Sequence, residues 1–325
     1  MKKIIIKFII LLKFPIDIAL GAIIIIPAFI MLLFRRFGPA RLKITSIILK
    51  KIGVWPIREH YYEPLFNDNN LSKSLRSPRD LPGVELNEDR QLRFLKTLKY
   101  GGEFEKFVET EKAHGDIDYF DLDNGSFGTG DSDFLYQFIR AVKPRNVMEI
   151  GSGNSTKIVQ HALKTNQRVN DNLSRHICLE PFEQPWLERL PGIDLIREKV
   201  EDFDFSWENE LDSGDLLFID SSHMIRPQGD VLFEYLNIIP RLKSGVFVHI
   251  HDIFTPRDYL DHWVKDDVLF WNEQYLLEAL LSNSMRYQVV ASLNHLKHTH
   301  YNALSEVCPF LTDTREPGSF YFKVI

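Results

Sequence analysis

Four ionisable side chains follow two apolar stretches of the sequence, at the points where each stretch ends. Asp220 and His223 end a predicted strand over 215–220, and His251 and Asp252 end another over 246–252. The carboxyl ends of neighbouring parallel strands meet at one edge of a sheet, where open α/β folds bind their ligands. There, imidazole and carboxylate groups act as a general base toward a hydroxyl or together ligate a divalent metal ion. The alternative is that the histidines are buried and satisfied by hydrogen bonds.

A glycine turn follows an apolar, β-branched stretch in the middle of the chain. It reads Val147-Met148-Glu149-Ile150-Gly151-Ser152-Gly153-Asn154-Ser155-Thr156. This pattern predicts a buried strand, a sharp turn close to a ligand and a helix over 154–164, with Asn154 or Ser155 as its N-cap. Because Glu149 ends the strand, it would repel a phosphate and favour a cationic or hydroxyl-bearing ligand. Ser152 would add a short polar group to the turn.

Two other glycine motifs do not match this turn. Thr156 stands where the dinucleotide fingerprint G-x-G-x-x-G has its third glycine, and the Gly-Lys-Ser/Thr ending of a phosphate loop is absent from the sequence. A glycine-containing turn of an unrelated doubly wound protein remains an alternative for this motif alone.

Two more acids follow the next predicted strands. Glu180 ends a strand over 176–180, where a carboxylate accepts hydrogen bonds from both hydroxyls of a ribose. Asp202 follows a strand over 194–200. For Asp202, a solvated charge among neighbouring acids is an alternative interpretation.

The glycine turn resembles the first motif of class I S-adenosylmethionine (SAM) dependent methyltransferases, E/D-x-G-x-G-x-G, with Ser155 in place of the last glycine. The resemblance implies that Glu149, Gly151 and Gly153 hold the methionine part of SAM. It also implies that Glu180 binds the ribose and that Asp202 contacts the adenine amino group.

A longer resemblance, to a bacterial subfamily of these methyltransferases, covers about residues 124–325. It is carried by Asp230 and by the stretches 215–223, 240–254 and 271–277. Relatives that methylate sugar hydroxyls hold magnesium with an acid after the fourth strand and an acidic pair after the fifth. By position this implies Asp220 and Asp252 as metal ligands, although His251 replaces one acid of the pair.

Strands and helices alternate after the glycine turn, which predicts a doubly wound, mostly parallel α/β sheet of the Rossmann-like kind. With two closing strands over 288–293 and 320–324, we expect seven strands. The clearest helices are predicted over 132–142, 230–242 and 271–282. The turn-rich segment 123–131 is expected to fold over the cofactor site, as it often does in methyltransferases.

Composition excludes some classes of protein. The 325 residues carry a net charge of −6, which gives no reason to expect a nucleic-acid partner. Cys178 and Cys308 are the two cysteines, so the sequence has neither a disulfide framework nor a cysteine metal cluster, in keeping with a reducing compartment.

The amino-terminal segment, residues 1–37, is predicted to attach the chain to a membrane. Ile18–Phe34 is uncharged over 17 residues, a helix of about 26 Å, which is a marginal span. Pro15 and Pro27 would permit a kinked or in-plane arrangement. A cleaved signal peptide and a buried soluble helix are the alternatives. More basic residues follow the apolar run than precede it, which predicts a cytoplasmic location for the rest of the chain.

Residues 38–115 are predicted to form an extension of mixed character. The stretch 40–52 combines apolar and basic residues, which suits a helix on an anionic membrane surface ending at Gly53. Trp55, Tyr61 and Tyr62 are expected at headgroup depth or, alternatively, in a protein core. Residues 66–86 are interpreted as a linker or surface loop, and Asn87 as the cap of the next helix. The methyltransferase domain is expected over 116–325.

The leading hypothesis is a membrane-attached, SAM-dependent methyltransferase, with its site in the cytoplasm and a hydroxyl of a saccharide or lipid-linked glycan as its acceptor. Two hypotheses from other classes remain open at this point. One is a nicotinamide-dependent oxidoreductase on a similar sheet, which Thr156 disfavours. The other is a non-catalytic interaction module at the membrane that retained the fold.

Overall fold

A computed structural model of the chain describes residues 2–114, 119–170, 173–204 and 210–325. The chain divides into two compact units, Met1–Ser72 and Lys73–Ile325. The predicted domain boundary between residues 115 and 116 lies outside the described residues.

The first unit contains two helices, α1 (Lys2–Phe37) and α2 (Lys43–Ile52), and a 3-10 turn, Asp68–Asn70. Helix α1 continues through both Pro15 and Pro27. Its stretch Lys13–Phe37 is long and apolar enough to cross a membrane, and the side chains of its most apolar window are not buried within the protein. Gly53 ends α2 in a left-handed conformation, as predicted from the sequence.

The second unit is built on a sheet of seven strands in the order β3-β2-β1-β4-β5-β7-β6. β7 runs antiparallel to both its neighbours, and the other strand pairs are parallel. The doubly wound, mostly parallel α/β fold predicted from the sequence is therefore confirmed. The strands are β1 (Asn146–Ile150), β2 (Arg175–Leu179), β3 (Asp194–Ile196), β4 (Leu216–Ile219), β5 (Phe247–Ile250), β6 (Tyr287–Ser292) and β7 (Phe320–Val324).

Helices of this unit precede and connect the strands. They are α3 (Glu88–Leu95), α4 (Gly101–His114), α5 (Asp131–Val142), α6 (Asn154–Asn170), α7 (Asp230–Phe233), α8 (Asp261–Lys265), α9 (Glu273–Leu281), α10 (Leu293–Thr299) and α11 (Tyr301–Val307). Asn87 caps α3 by accepting a hydrogen bond from the N–H of Arg90, as predicted.

Each face of the sheet has its own apolar core. Successive residues of a strand point to opposite faces, so Val147 of β1 packs with α5 and α6 whereas Met148 packs with α7 and α9. Covering both faces leaves the carboxyl ends of β1, β2, β4 and β5 as the polar edge of the sheet. The site is therefore expected at this edge.

One prediction differs from the structure, and the structure adds detail to another. The helix predicted over 230–242 is α-helical only to Phe233, continues as a π-helical turn over Glu234–Ile238, and ends in a 3-10 turn. Pro240 lacks the N–H that an α-helix would need there. The segment 66–86, interpreted as a linker or surface loop, includes the buried Leu75, whose carbonyl accepts a hydrogen bond from the N–H of Asp258.

Candidate functional site

A cavity of about 350 Å³ opens where β1, β2 and β4 end. Its volume lies in the usual range for a small-molecule site. Its wall combines apolar residues with several acids and includes Ile150, Gly151, Leu179, Glu180, Val200, Glu201, Asp220, Ser221, Ser222 and Asp230. The tips of the first two parallel strands therefore border one hollow.

Gly151 lets the ends of these strands close on one another. Its φ of +83° is left-handed, and a Cβ at this position would collide with the backbone carbonyl of Asp220. The N–H of Gly151 donates to the carbonyl of Leu179 at 2.9 Å, and the N–H of Asp220 donates to the carbonyl of Ile150 at 2.8 Å. Only glycine fits this crossing of three strand ends.

Gly153 has a different environment from Gly151. A Cβ at Gly153 would meet no protein atom within 4 Å, so the space beside it is open. Among the other turn residues, Ser152 is buried, and its hydroxyl has no hydrogen-bond partner among the described residues. Asn154 and Ser155, predicted as alternative N-caps, both lie inside the first turn of α6, and the Asn154 amide donates to the Ser126 hydroxyl.

Glu149 is fully buried beneath the turn and does not line the cavity. Its carboxylate contacts the imidazole Nε2 of His176 at 2.9 Å, and it accepts hydrogen bonds from the hydroxyl of Ser155 and the thiol of Cys178. In the structure, Glu149 thus ties β1 to β2 and to the start of α6.

The two other predicted cofactor ligands occupy different positions relative to the cavity. Glu180 lines it, and one of its oxygens accepts hydrogen bonds from the N–H groups of Phe182 and Glu183, at 2.9 and 2.8 Å. Asp202 is exposed and is not part of the wall, whereas the preceding Glu201 is. The turn after β3 therefore presents the acid one residue earlier than predicted.

The four predicted catalytic residues lie together beside this cavity. Nε2 of His223 is 3.4 Å from a carboxylate oxygen of Asp220 and 3.4 Å from one of Asp252. Nδ1 of His251 is 3.5 Å from oxygens of the same two acids. Both histidines are nearly fully buried. Since Asp220 also lines the cavity, this cluster borders it.

Left-handed backbone at two positions brings the cluster together. Side chains that alternate along β5 would send His251 and Asp252 to opposite faces. Asp252 and His223 each have a φ of +58°, which is uncommon for residues other than glycine. The resulting turn after each strand directs both acids and both imidazoles to the same point.

His249 takes no part in the cluster. Its ring stacks on Tyr321 with the centroids 4.1 Å apart, and neither ring nitrogen has a hydrogen-bond partner among the described residues. Burial, reinforced by the nearby charge of His251, holds the pKa of His249 well below its ordinary value. It therefore behaves as a neutral core residue.

The charges of the cluster depend on one another. Burial opposes protonation of His223, but its hydrogen bonds with Asp220 and Glu273 outweigh burial and raise its pKa well above the ordinary value. The pKa of His251 is raised against the same opposition by the charges of Asp252 and Asp220. Burial raises the pKa of Asp252, whereas the two histidines lower that of Asp220.

The structure adds residues that the sequence analysis did not single out. Oε2 of Glu273 is 2.8 Å from Nδ1 of His223 and fixes the ring so that Nε2 faces the two acids. Asp131, at the start of α5, lies 3.8 Å from Nε2 of His251. Asp230 accepts hydrogen bonds from the N–H and hydroxyl of Ser222 and so holds the turn after β4. Glu273 lies within the stretch 271–277 that carried the family resemblance, and Asp230 was itself named there, although neither was given a role in the site.

The cluster also has the donors that a divalent metal ion requires. One ligand atom each from Asp220, His223 and Asp252 lie within 4.8 Å of one another. Two carboxylates and an imidazole oriented by a second carboxylate form a common divalent-metal ligand set. The two carboxylates suit magnesium or manganese, whereas the imidazole suits iron or zinc, so the set does not single out the magnesium expected from the resemblance.

The segment 123–131, which was predicted to cover the site, leads into α5 and contacts this region. The amide of Asn154 contacts the hydroxyl of Ser126 at 3.0 Å, and the ring of Phe127 lies 4.8 Å from that of His251. Residues just before α5 therefore pack against both the glycine turn and the cluster of Asp220, His223, His251 and Asp252.

Comparison with known proteins matches part of the chain to one enzyme family. Residues 148–253 match a family model described as a methyltransferase domain, and this range contains the glycine turn and both polar strand ends. An uncharacterized protein of Archaeoglobus fulgidus is 25% identical over 187 residues, which are 52% of this chain and 83% of that protein.

Similarity to solved structures was also found. An O-methyltransferase from Bacillus cereus, crystallised with SAH, has 14% identity and a TM-score of 0.38, covering 71% of this chain and 91% of that one. A putative methyltransferase from Thermobifida fusca has 12% identity and a TM-score of 0.38, covering 77% of this chain and 99% of that one.

The match to the methyltransferase domain, the strand order and the cavity beside the glycine turn agree with the fold and the enzyme class predicted from the sequence. Residues 148–253 are therefore assigned to a methyltransferase domain.

Proposed function

We propose that this methyltransferase transfers the methyl group of SAM to a hydroxyl oxygen of a saccharide or lipid-linked glycan, at the cytoplasmic face of a membrane. The observation that carries the proposal is the cluster of Asp220, His223, His251 and Asp252 beside the cofactor cavity. A hydroxyl is a poor nucleophile until its proton is withdrawn, and this cluster provides groups that withdraw it.

The roles of the four residues follow from their charges. In the reaction the acceptor oxygen forms a bond to the methyl carbon, the carbon–sulfur bond breaks, and the hydroxyl proton leaves. Asp252 is the stronger proton acceptor of the two acids because burial raises its pKa. Asp220 stays ionised beside the cofactor, where it favours the cationic sulfonium. His223 and His251 balance the two carboxylates.

A divalent ion held by Asp220, His223 and Asp252 is an alternative means of withdrawing the hydroxyl proton, and it would require a neutral His223. When bound there, it would act as a Lewis acid that lowers the pKa of the acceptor hydroxyl. Glu273 would then serve to orient the His223 ring. The proposal includes manganese, with magnesium as the alternative, as the ion to test first.

The properties of the first unit support membrane attachment. Ile18, Ile23, Ile26 and other apolar side chains of α1 are well exposed to solvent around the whole helix. Tyr61 and Tyr62 are 91% and 84% exposed, which favours the interfacial interpretation of these aromatics over the core alternative. An enzyme held in this way acts on acceptors at the membrane surface.

The test compares the purified full-length chain with the variant Asp252→Asn, using isotope-labelled SAM and envelope lipid and glycan fractions as acceptors. We expect a product heavier by one CH₂ and a decrease in kcat of about 100-fold or more in the variant, with SAM affinity unchanged. Asp212→Asn is the matched control, because Asp212 is an exposed acid paired with Lys243. Methylation of nitrogen or carbon, or full turnover in Asp252→Asn, would refute the proposal.

A further inference from the structure

Two arginines near the site are largely buried but make no direct ion pair among the described residues. Arg257, in the loop after β5, is 8% exposed, and Arg76, in the segment before α3, is half-buried. Among the described residues, neither guanidinium forms an ion pair with a carboxylate. A buried arginine without a partner is rare because its desolvation is not offset.

Several N–H groups of this pair point to no acceptor. Nε and Nη1 of Arg76 and Nη1 of Arg257 are buried and without a hydrogen-bond partner among the described residues. The remaining contacts hold the two side chains in place: Nε of Arg257 donates to the carbonyl of Arg76 at 3.1 Å, and Nη2 of Arg76 donates to the carbonyl of Asp258. The guanidinium of Arg76 also lies over the ring of Phe254, with 5.6 Å to the centroid, which offsets part of its charge.

The acids around the pair are already engaged by other groups. Glu316 accepts from Lys297 at 2.6 Å, His298 at 2.8 Å and Asn294 at 2.7 Å. Asp258 is bound by Arg79 and by the hydroxyl of Tyr275, and Asp261 by Lys265. Burial lowers the pKa of Arg76, the charges of Glu316 and Asp261 oppose this effect, and the charge of Arg257 adds to it. Glu316 also opposes the lowering of the pKa of Arg257 by burial. This one carboxylate therefore lies near two arginines while it is hydrogen-bonded to other side chains.

The pair lies at the same end of the sheet as the catalytic cluster. Arg257 follows Asp252 by five residues, so the chain separates their Cα atoms by no more than about 18 Å. The carbonyl of Arg257 accepts from the side chain of Gln274, which is the neighbour of Glu273. A ligand on the arginines could therefore extend to the proposed acceptor position.

We propose that Arg76 and Arg257 form a binding site for a phosphate or pyrophosphate group carried by the acceptor. A phosphate ester brings nearly two negative charges and three acceptor oxygens, which match two cations and three unpartnered nitrogens. A carboxylate would neutralise only one of the two arginines. The claim that the phosphate belongs to the methyl acceptor rests on the proposed function. The claim that the two arginines bind an anion does not.

The first experiment measures thermal unfolding and calorimetric binding of the full-length chain in a non-ionic detergent. Phosphate and pyrophosphate should raise Tm, whereas chloride and acetate at equal ionic strength should not. Arg257→Gln and Arg76→Gln should each weaken binding by about tenfold or more. Arg286→Gln should bind as the wild type does, because Arg286 donates to backbone carbonyls at the opposite end of the sheet.

A structural role for the pair gives a different result. If the arginines only hold the loop, both variants would lower Tm equally with and without phosphate. If they form an anion site, removing one of two repelling charges should leave Tm without phosphate unchanged or higher. Absence of a phosphate effect on the wild type, or an equal effect of acetate, would overturn the proposal.

The source of the phosphate is tested separately. One arm compares Tm in nanodiscs with and without a polyprenyl phosphate, and the other measures binding of a nucleoside diphosphate sugar in solution. If the Tm shift or the binding in one arm is lost in Arg257→Gln, that arm identifies the molecule that carries the phosphate. If the effects persist in Arg257→Gln, the proposed phosphate site is contradicted. SAM is absent from these measurements, so they test anion binding independently of methylation. A negative binding result would not refute the proposed methylation, and absence of methylation would not refute anion binding.

Discussion

Gly151 and Gly153 stand in the same turn but face different surroundings, protein on one side and open space on the other. Gly151→Ala should destabilise the fold by about 2 kcal/mol or more, because its Cβ would adopt an unfavourable φ and meet the Asp220 backbone. Gly153→Ala should keep the stability of the wild type and weaken SAM binding by about tenfold or more, because its methyl would enter the space assigned to the cofactor. Chemical denaturation and calorimetry measure the two effects. Wild-type SAM affinity in Gly153→Ala would show that the cofactor lies elsewhere.

Asp133 predicts a pH dependence of stability. It is fully buried and accepts from the N–H groups of Gly130 and Phe310, and burial raises its pKa to about 6 from an ordinary 3.8. The folded state therefore binds this proton more tightly than the unfolded chain does. Its contribution is present below pH 4 and is lost as pH rises through 6, by roughly 3 kcal/mol. In Asp133→Asn the fall in Tm between pH 4 and 7 should be smaller; an identical profile would contradict this pKa.

The sequence predicted which residues lie at the strand ends, but it did not predict which side chains pair with them. Asp220, His223, His251 and Asp252 were predicted to converge because ends of neighbouring parallel strands must meet. The carboxylate that orients His223 comes from Glu273, 50 residues away in the sequence. Arg76 and Arg257 are 181 residues apart. No local pattern relates residues so distant, because their proximity depends on how loops pack outside the sheet.

At the scale of elements, the segment 73–86 is fixed to the rest of its unit by Arg79. Its guanidinium binds Glu278 of α9 through two nitrogens and Asp258 through Nε at 3.1 Å. The side chain of Glu278 is only 8% exposed, so removing Arg79 would leave a buried charge with one fewer partner. Arg79→Ala should therefore lower the free energy of unfolding by about 2 kcal/mol.

Arg175→Ala supplies the comparison for that measurement. Arg175 pairs with Asp194 at 2.6 Å, but the two side chains are 49% and 55% exposed, and solvent weakens such pairs. The change in stability should be about 0.5 kcal/mol or less. Equal losses in the two variants, measured by denaturation, would mean that Arg79 does not anchor the segment.

Elements with strong periodicity were predicted well, whereas the contacts that hold the loop 73–86 in place were not predicted. The strands of the sheet and helices such as α5 bury regular apolar faces that are visible in the sequence. Residues 66–86 have no such period, since their order depends on ion pairs and a few backbone hydrogen bonds. The break after Phe233 was missed for another reason: Pro240 acts on the helix several residues before it.

At the scale of the whole molecule, α1 gives a prediction for membrane association. The full-length chain should float with vesicles and resist extraction by salt, whereas a chain lacking residues 1–37 should be released by salt, since only the basic α2 would then bind anionic lipid. Flotation at low and high ionic strength measures this. A truncated chain that still resists salt would show that α1 is not the anchor.

The orientation of the attached chain follows from its charges. Basic residues predominate after the apolar run, which predicts that Lys51 lies in the cytoplasm. Fused after Lys51, a reporter that functions in the cytoplasm should be active, and one that functions outside the cytoplasm should be inactive. Reporter activity on the opposite side of the membrane would reverse the proposed location of the site.

His223 and Asp252 hold a backbone shape that glycine or asparagine adopts at lower cost. Replacing His223 would leave the buried Glu273 without its imidazole partner, so the gain is expected at Asp252. A laboratory selection for heat resistance alone should therefore favour replacement of Asp252, which would remove an ionisable group from the site. Heat resistance and turnover should move in opposite directions there, so an evolving lineage could keep the fold, gain robustness and lose catalysis through a single change.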